Sequence, residues 1–190
     1  MKQFNTWERY FDPTHPKHEY QVARHAWFVE RACGPRLLDV GCSGGLALFL
    51  IGKRSDIREL HGVDTCADTV LLAQKRLEKY APKTIDIRVG RAELLPFTDD
   101  CMDCVICGET LEHVGDDIAA VCELYRVLVP GGVALVSVPK DGHLSKEHVR
   151  LYNAKKLNTL LIHAGFKIVE ESEMRASKNG LYLLRKAVKI

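Results

Sequence analysis

Three features of this 190-residue sequence predict an α/β fold, a mostly parallel sheet with helices on both faces. Short β-branched runs alternate with segments of helical apolar spacing, the first run ends in a glycine-rich turn, and Pro130-Gly-Gly132 separates a helical pattern from another buried run. Strand, helix, strand repeated at this pitch implies right-handed crossovers and a parallel sheet buried on both sides.

The elements follow in order. Arg36–Gly41 reads as a strand, Gly45–Arg54 as a helix, Leu60–Asp64 as a strand, and Ala67–Tyr80 as a helix with Val70, Leu71, Ala73 and Leu77 at apolar positions. Strands are expected at Ile85–Gly90 and Cys104–Cys107, then a helix at Ile118–Leu128 stopped by Pro130-Gly-Gly132, then a strand at Val133–Val138. A helix at Ala154–Ala164, ended by Gly165, precedes strands at Phe166–Glu171 and Leu181–Val188. Ahead of the sheet, a helix is expected to pack through Tyr20, Ala23, Trp27 and Phe28, with the residues before Tyr20 free to cover a site.

Composition narrows the class. Apolar residues make up 46% and charged residues 27%, with 27 Lys and Arg against 25 Asp and Glu, the balance of a soluble globular chain rather than a disordered or collagenous one. A net charge of +2 points to no particular partner. The longest apolar run, Leu46–Ile51, is far below the roughly 20 residues that cross a bilayer, so no membrane span and a cytoplasmic location are expected. Seven cysteines, an odd number spread through the chain, read as reduced thiols, with Cys104, Cys107 and Cys122 expected inside apolar segments. The length suits one domain.

In such sheets ligands bind outside the carboxyl ends of the strands, where strand order reverses. Leu37-Leu-Asp-Val-Gly-Cys-Ser-Gly-Gly45 ends a strand in a turn whose glycines allow close approach of a ligand and whose amides at a helix start favour polar or anionic groups. A dinucleotide fingerprint begun at Gly41 would need glycines where Ser43 and Leu46 stand, which disfavours a nicotinamide-dependent reductase. Asp64 closes the second strand, where an acid can accept from both ribose hydroxyls of an adenosine or else cap the next helix.

Taken with Gly90-Arg-Ala-Glu-Leu-Leu-Pro-Phe97, Cys107-Gly-Glu-Thr-Leu-Glu-His113 and Arg126-Val-Leu-Val-Pro-Gly-Gly132, these segments resemble the class I S-adenosylmethionine-dependent methyltransferases, of the methyltransferase type 11 kind, from about Arg36 to Phe166. The resemblance implies a seven-stranded Rossmann-like sheet whose last strand is antiparallel. It implies a cofactor-binding core at 34–190 and an N-terminal helical lid at 1–33. S-adenosylmethionine would face the backbone of Gly41, Cys42 and Gly45, in a loop that Asp39 orients. Asp64 would hold the ribose, with Thr65 beside the adenine. Arg91-Ala92 stands where the family has Asp-Ala or Asp-Val, so the acidic contact to the adenine is replaced and the Ala92 amide is left to serve. Glu109 would lie near the transferred methyl group or the cofactor's amino end.

The cysteines before Glu109 do not form a metal site by spacing. Cys104 and Cys107 differ by an odd number in a strand and point to opposite faces. Glu109, Glu112 and His113 share a face if a helical turn starts near Thr110, and His148 can join them from the loop after the fifth strand. That set is similar to one in small-RNA 3′-terminal 2′-O-methyltransferases, which implies a metal and an RNA end. It is also similar to metal-free small-molecule methyltransferases, quinone-pathway O-methyltransferases among them. The metal-free reading, with a small-molecule acceptor, is the expectation adopted. His113 is the expected proton acceptor, with His148 and Glu109 as the other catalytic candidates. A non-catalytic S-adenosylmethionine-binding module is the competing class, and a homodimer is compatible with so short a chain.

Overall fold

The computed structural model describes residues 6–80, 83–140, 147–176 and 180–190. The first five residues of the expected lid, and 141–146 in the loop after the fifth strand, lie outside them. Two helices lead, α1 (Thr6–Phe11) and α2 (His18–Arg31), and then strands and helices alternate: β1 (Arg36–Val40), α3 (Leu46–Ile51), β2 (Glu59–Asp64), α4 (Ala67–Leu77), β3 (Thr84–Val89), β4 (Met102–Gly108), α5 (Asp117–Val127), β5 (Leu128–Pro139), α6 (Ala154–His163), β6 (Phe166–Ala176) and β7 (Gly180–Lys189).

The strands form one sheet in the order β3-β2-β1-β4-β5-β7-β6. Pairs β1–β2, β1–β4, β2–β3 and β4–β5 are parallel, and β7 runs antiparallel to both β5 and β6. The expected architecture and the antiparallel last strand are therefore present. Strand order reverses between β1 and β4, which opens a crevice at their carboxyl ends.

Side-chain alternation divides the core into two layers. Leu38, Val40, Val105 and Cys107 pack with Val121 and Leu124 of α5 and Leu157 and Leu161 of α6. Leu37, Cys104 and Ile106 pack with Phe28 of α2, Leu48 of α3 and Ala73 of α4. Cys104 and Cys107 thus occupy opposite faces, as strand geometry requires. Cys122 departs from expectation, lying exposed on the outer side of α5.

Several boundaries also differ, most of all around Pro130. The helix before Pro130 ends at Val127, because Leu128 is already extended (φ −74°, ψ 140°) and fully buried, pairing with Met102 of β4. Pro130 and Gly131 therefore belong to the outer end of β5 instead of capping the helix. On α2, Ala23 is exposed, and the buried stripe runs through Tyr20, Gln21, Arg24, Trp27 and Phe28.

Candidate functional site

A cavity of about 680 Å³ opens at the reversal point, walled by the ends of β1, β2 and β4, the turn after β4, the segment at 147–148, and helix α2. Asp39, Gly41, Cys42, Asp64, Thr65, Arg91, Ala92, Glu109, His113 and His148 all line it. Gly45 stands behind the turn, where a Cβ would approach that of Ala73 at 3.0 Å.

The turn after β1 is held by its own amides. Gly41 and Cys42 both donate to Val63 O (2.8 and 3.0 Å), Gly45 donates to Cys42 O (2.9 Å), and Ser43 donates to Asp64 Oδ2 (2.8 Å). These N–H groups are spent inside the fold, so the turn meets a ligand by close approach rather than by offering these amides. Gly41 lines the cavity with φ +78°, and a Cβ there would come 2.2 Å from Thr110 Oγ1, so both the backbone and the packing against the turn after β4 require glycine. Asp64 also accepts from the Cys66 amide (2.9 Å) and the Thr69 hydroxyl (3.2 Å). It ties β2, the glycine turn and the start of α4 together. The carboxylate lies on the cavity wall, and the N-cap position of α4 falls to Cys66 rather than to Asp64.

Asp39 is 5% exposed at the cavity floor, and burial, reinforced by the charge of Asp64 and opposed by Arg24, pushes its pKa up to about 7. Arg91 turns its guanidinium to Glu93 (2.9 Å), with the Ala92 side chain buried beneath.

Glu109 follows β4 with φ +55°, a left-handed conformation uncommon outside glycine, fixed by its amide donating to Ser137 O (2.8 Å). Its carboxylate accepts from the Tyr20 hydroxyl and pairs with Arg24 Nη1 at 3.4 Å. Arg24, in turn, donates to Gln21 Oε1 (2.8 Å), and Tyr20 stacks on Tyr182 with centroids 4.0 Å apart. Burial lowers the Arg24 pKa, but Glu109 and the surrounding oxygens outweigh it and the net shift is upward. Sequence reading missed Arg24 and Tyr182 as lining residues and Tyr20 as the hydroxyl that holds Glu109. The available signal was Arg24 itself, a cation on the stripe that carries Tyr20, Trp27 and Phe28.

Residues 110–114 make a single turn, with His113 N donating to Thr110 O (2.9 Å), and no helix follows until α5. Glu109 consequently leaves the face shared by the others. Glu112, His113 and His148 converge, each offering one donor atom within 4.8 Å of the other two. Glu112 is 1% exposed, and burial together with the neighbouring charge of Glu109 holds its pKa well above the carboxylate range. His113 Nδ1 lies 3.0 Å from Glu147 O; a carbonyl only accepts, so Nδ1 carries the proton and Nε2 keeps a lone pair.

Comparison with known proteins places this geometry. A family model described as a methyltransferase domain matches residues 38–136. A Mycolicibacterium smegmatis protein named probable S-adenosylmethionine-dependent methyltransferase is 34% identical over 160 residues, covering 80% of this chain and 58% of its own. A 2-phytyl-1,4-naphtoquinone methyltransferase of Synechocystis is 36% identical over 116 residues, 58% of this chain and 48% of that protein. The chain thus spans about half the length of these curated relatives. Among solved structures, the [4+2]-cyclase SpnF superposes with a TM-score of 0.80 at 18% identity, covering 90% of this chain and 82% of that one, a likeness of fold.

Proposed function

The chain belongs to the methyltransferase-domain family, and from that premise we propose that it transfers a methyl group from S-adenosylmethionine to a small-molecule acceptor. The observation that carries the reading is the junction of Asp64 with the Gly41–Gly45 turn at the wall of one cavity. The residues fit the cofactor: the cavity accommodates a nucleoside-sized ligand with a second small molecule, and Asp64 presents a carboxylate where ribose hydroxyls need acceptors. In this reading Thr65, Arg91 and Ala92 border the base, Asp39 underlies the turn, and α1 and α2 cap the site.

When bound, S-adenosylmethionine supplies a methyl on a positively charged sulfonium, and the C–S electron pair stays on sulfur as the methyl leaves. The chain's own work is alignment and proton removal. Tyr20, Arg24 and Glu109 form a buried hydrogen-bonded and ion-paired wall that fixes Glu109 beside the reacting end. His113, held by Glu147 O, offers Nε2 to the acceptor's proton. Phe28, His25 and Tyr182 add apolar ring surface, which favours a ring-bearing hydroxyl compound of the phenol or quinol kind. The quinone methyltransferase among the relatives supports that class. A cytoplasmic location belongs to the same reading; among the described residues, no helix is long and apolar enough to cross a membrane.

Since a cyclase shares the fold, the test must read transfer itself. The purified chain is incubated with S-adenosylmethionine and a panel of phenols and quinols, and S-adenosylhomocysteine release is measured. Release that depends on an acceptor is expected. Cofactor binding without release for any acceptor would favour a non-catalytic module.

A further inference from the structure

We propose that Arg9 and Lys17 form a carboxylate-binding subsite at the helical edge of the cavity, and that the methyl acceptor is accordingly an acid, a hydroxylated ring that carries a carboxylate.

Charge divides the cavity. Asp39, Asp64, Glu109 and Glu112 line it from the strand ends, whereas Arg9 of α1, Lys17 at the start of α2 and Arg24 of α2 line it from the helices. Arg24 belongs to the floor of the site. It pairs with Glu109 at 3.4 Å, donates to Gln21 Oε1 at 2.8 Å, and is the cation that acts on Asp39. Arg9 acts instead on Lys17 and on Tyr182, so these two cations share the outer corner of the cavity.

Lys17 stands where a cation is costly. It is partly buried, and burial lowers its pKa, with Arg9 and Arg24 pushing the same way and Glu109 opposing them. It also occupies the N-cap position of α2, a helix of 14 residues, where the helix dipole favours negative charge. Its side chain caps nothing there, and among the described residues it makes no ion pair. Local structure therefore does not account for an ammonium group at this point, and a ligand's anion does. A carboxylate between Lys17 and Arg9 offsets the burial, the repulsion between the two cations and the dipole together.

The inference rests on the methyltransferase reading and narrows its acceptor. Arg24 Nε is buried without an acceptor, which leaves the floor of the site one donor for the amino-acid end of the cofactor. The outer pair then serves a second anion. With its carboxylate held there, the acceptor extends toward the strand ends, the side of the cavity where Glu109 and His113 stand. A neutral phenol would desolvate Lys17 and give nothing in return, so the subsite selects against it.

The test measures binding rather than transfer. The full chain, with and without saturating S-adenosylhomocysteine, is titrated with para-hydroxybenzoate, para-hydroxyphenylacetate and para-hydroxycinnamate, each beside its primary amide, and ligand-observed NMR gives the affinities. At least one acid is expected to bind at least tenfold tighter than its amide. In Lys17→Met and in Arg9→Met acid and amide should bind within threefold of each other, with S-adenosylhomocysteine affinity changed less than threefold. Lys167→Met, an exposed position on β6, should keep the preference. Thermal unfolding of each variant confirms that it is folded. Acids no tighter than their amides, or a preference that survives both substitutions, would overturn the subsite. Lost S-adenosylhomocysteine affinity in either variant would assign the two cations to the cofactor's carboxylate and overturn it equally. Because no methyl group moves, the comparison of acid with amide is separate from the outcome of the transfer assay.

Discussion

Thr110 Oγ1 occupies the place that a side chain on Gly41 would need, 2.2 Å from where its Cβ would stand. The same hydroxyl donates to Val40 O at 3.1 Å, so the ends of β1 and β4 are locked through one threonine. Gly41→Ala adds this collision to a positive φ, and an expected destabilisation of about 3 kcal/mol follows. The double variant with Thr110→Ala should recover part of that loss, the part owed to the collision. Denaturant unfolding of the three variants measures both terms.

Arg24 and Glu109 form a largely buried pair, with 6% and 22% of their side-chain surfaces exposed. Arg24→Met strips a buried carboxylate of its cation and should cost about 3 kcal/mol, while Tyr20→Phe, which removes one hydrogen bond to the same carboxylate, should cost about 1 kcal/mol. Adding Glu109→Gln to Arg24→Met should restore most of the stability. A double variant no better than Arg24→Met would show that the charge on Glu109 is not what the arginine answers.

Asp39 makes stability depend on pH. Its folded pKa of about 7 lies above the ordinary 3.8, so between these values the folded chain holds more protons at this site than the unfolded chain. Its contribution is present at low pH and lost as pH rises through about 7. Buried His25, held down to about 3, acts the other way: its contribution is present above about 6.5 and lost as pH falls. Comparing Asp39→Asn with the unsubstituted chain isolates the aspartate. The variant should gain about 2 kcal/mol relative to it between pH 5 and pH 8, within a ceiling of about 4 kcal/mol set by the shift.

His113 is 40% exposed at its side chain, so its loss should leave the fold intact. His113→Ala is expected to lower kcat at least a hundredfold while S-adenosylhomocysteine affinity changes less than threefold. Parallel steady-state kinetics and calorimetry give the two numbers, and a proportional loss of both would assign the histidine to cofactor binding instead.

Most of the sheet was legible because β-branched runs such as Val133–Val138 have few alternatives to a buried strand, and the turn from Gly41 to Gly45 announces a ligand-facing loop. The end of α5 was not legible, since the burial of Leu128 against β4 overrides the stop signal of Pro130. At the site, Asp64 and His113 could be found from their places after strands. The joining of Tyr20 and Arg24 to Glu109 was not legible, because it links residues 89 positions apart and appears only once α2 lies across the sheet. The separation of Glu109 from Glu112 likewise depends on the left-handed backbone at Glu109, which residue spacing does not reveal.

The central claim is that the cavity at the ends of β1 and β2 holds S-adenosylmethionine, and calorimetric titration with S-adenosylhomocysteine tests it most directly. The account predicts one equivalent bound by the unsubstituted chain and at least tenfold weaker binding by Asp64→Asn, which keeps the shape of the side chain and loses its charge. A folded chain that shows no binding at millimolar ligand, or binding indifferent to Asp64→Asn, would contradict it.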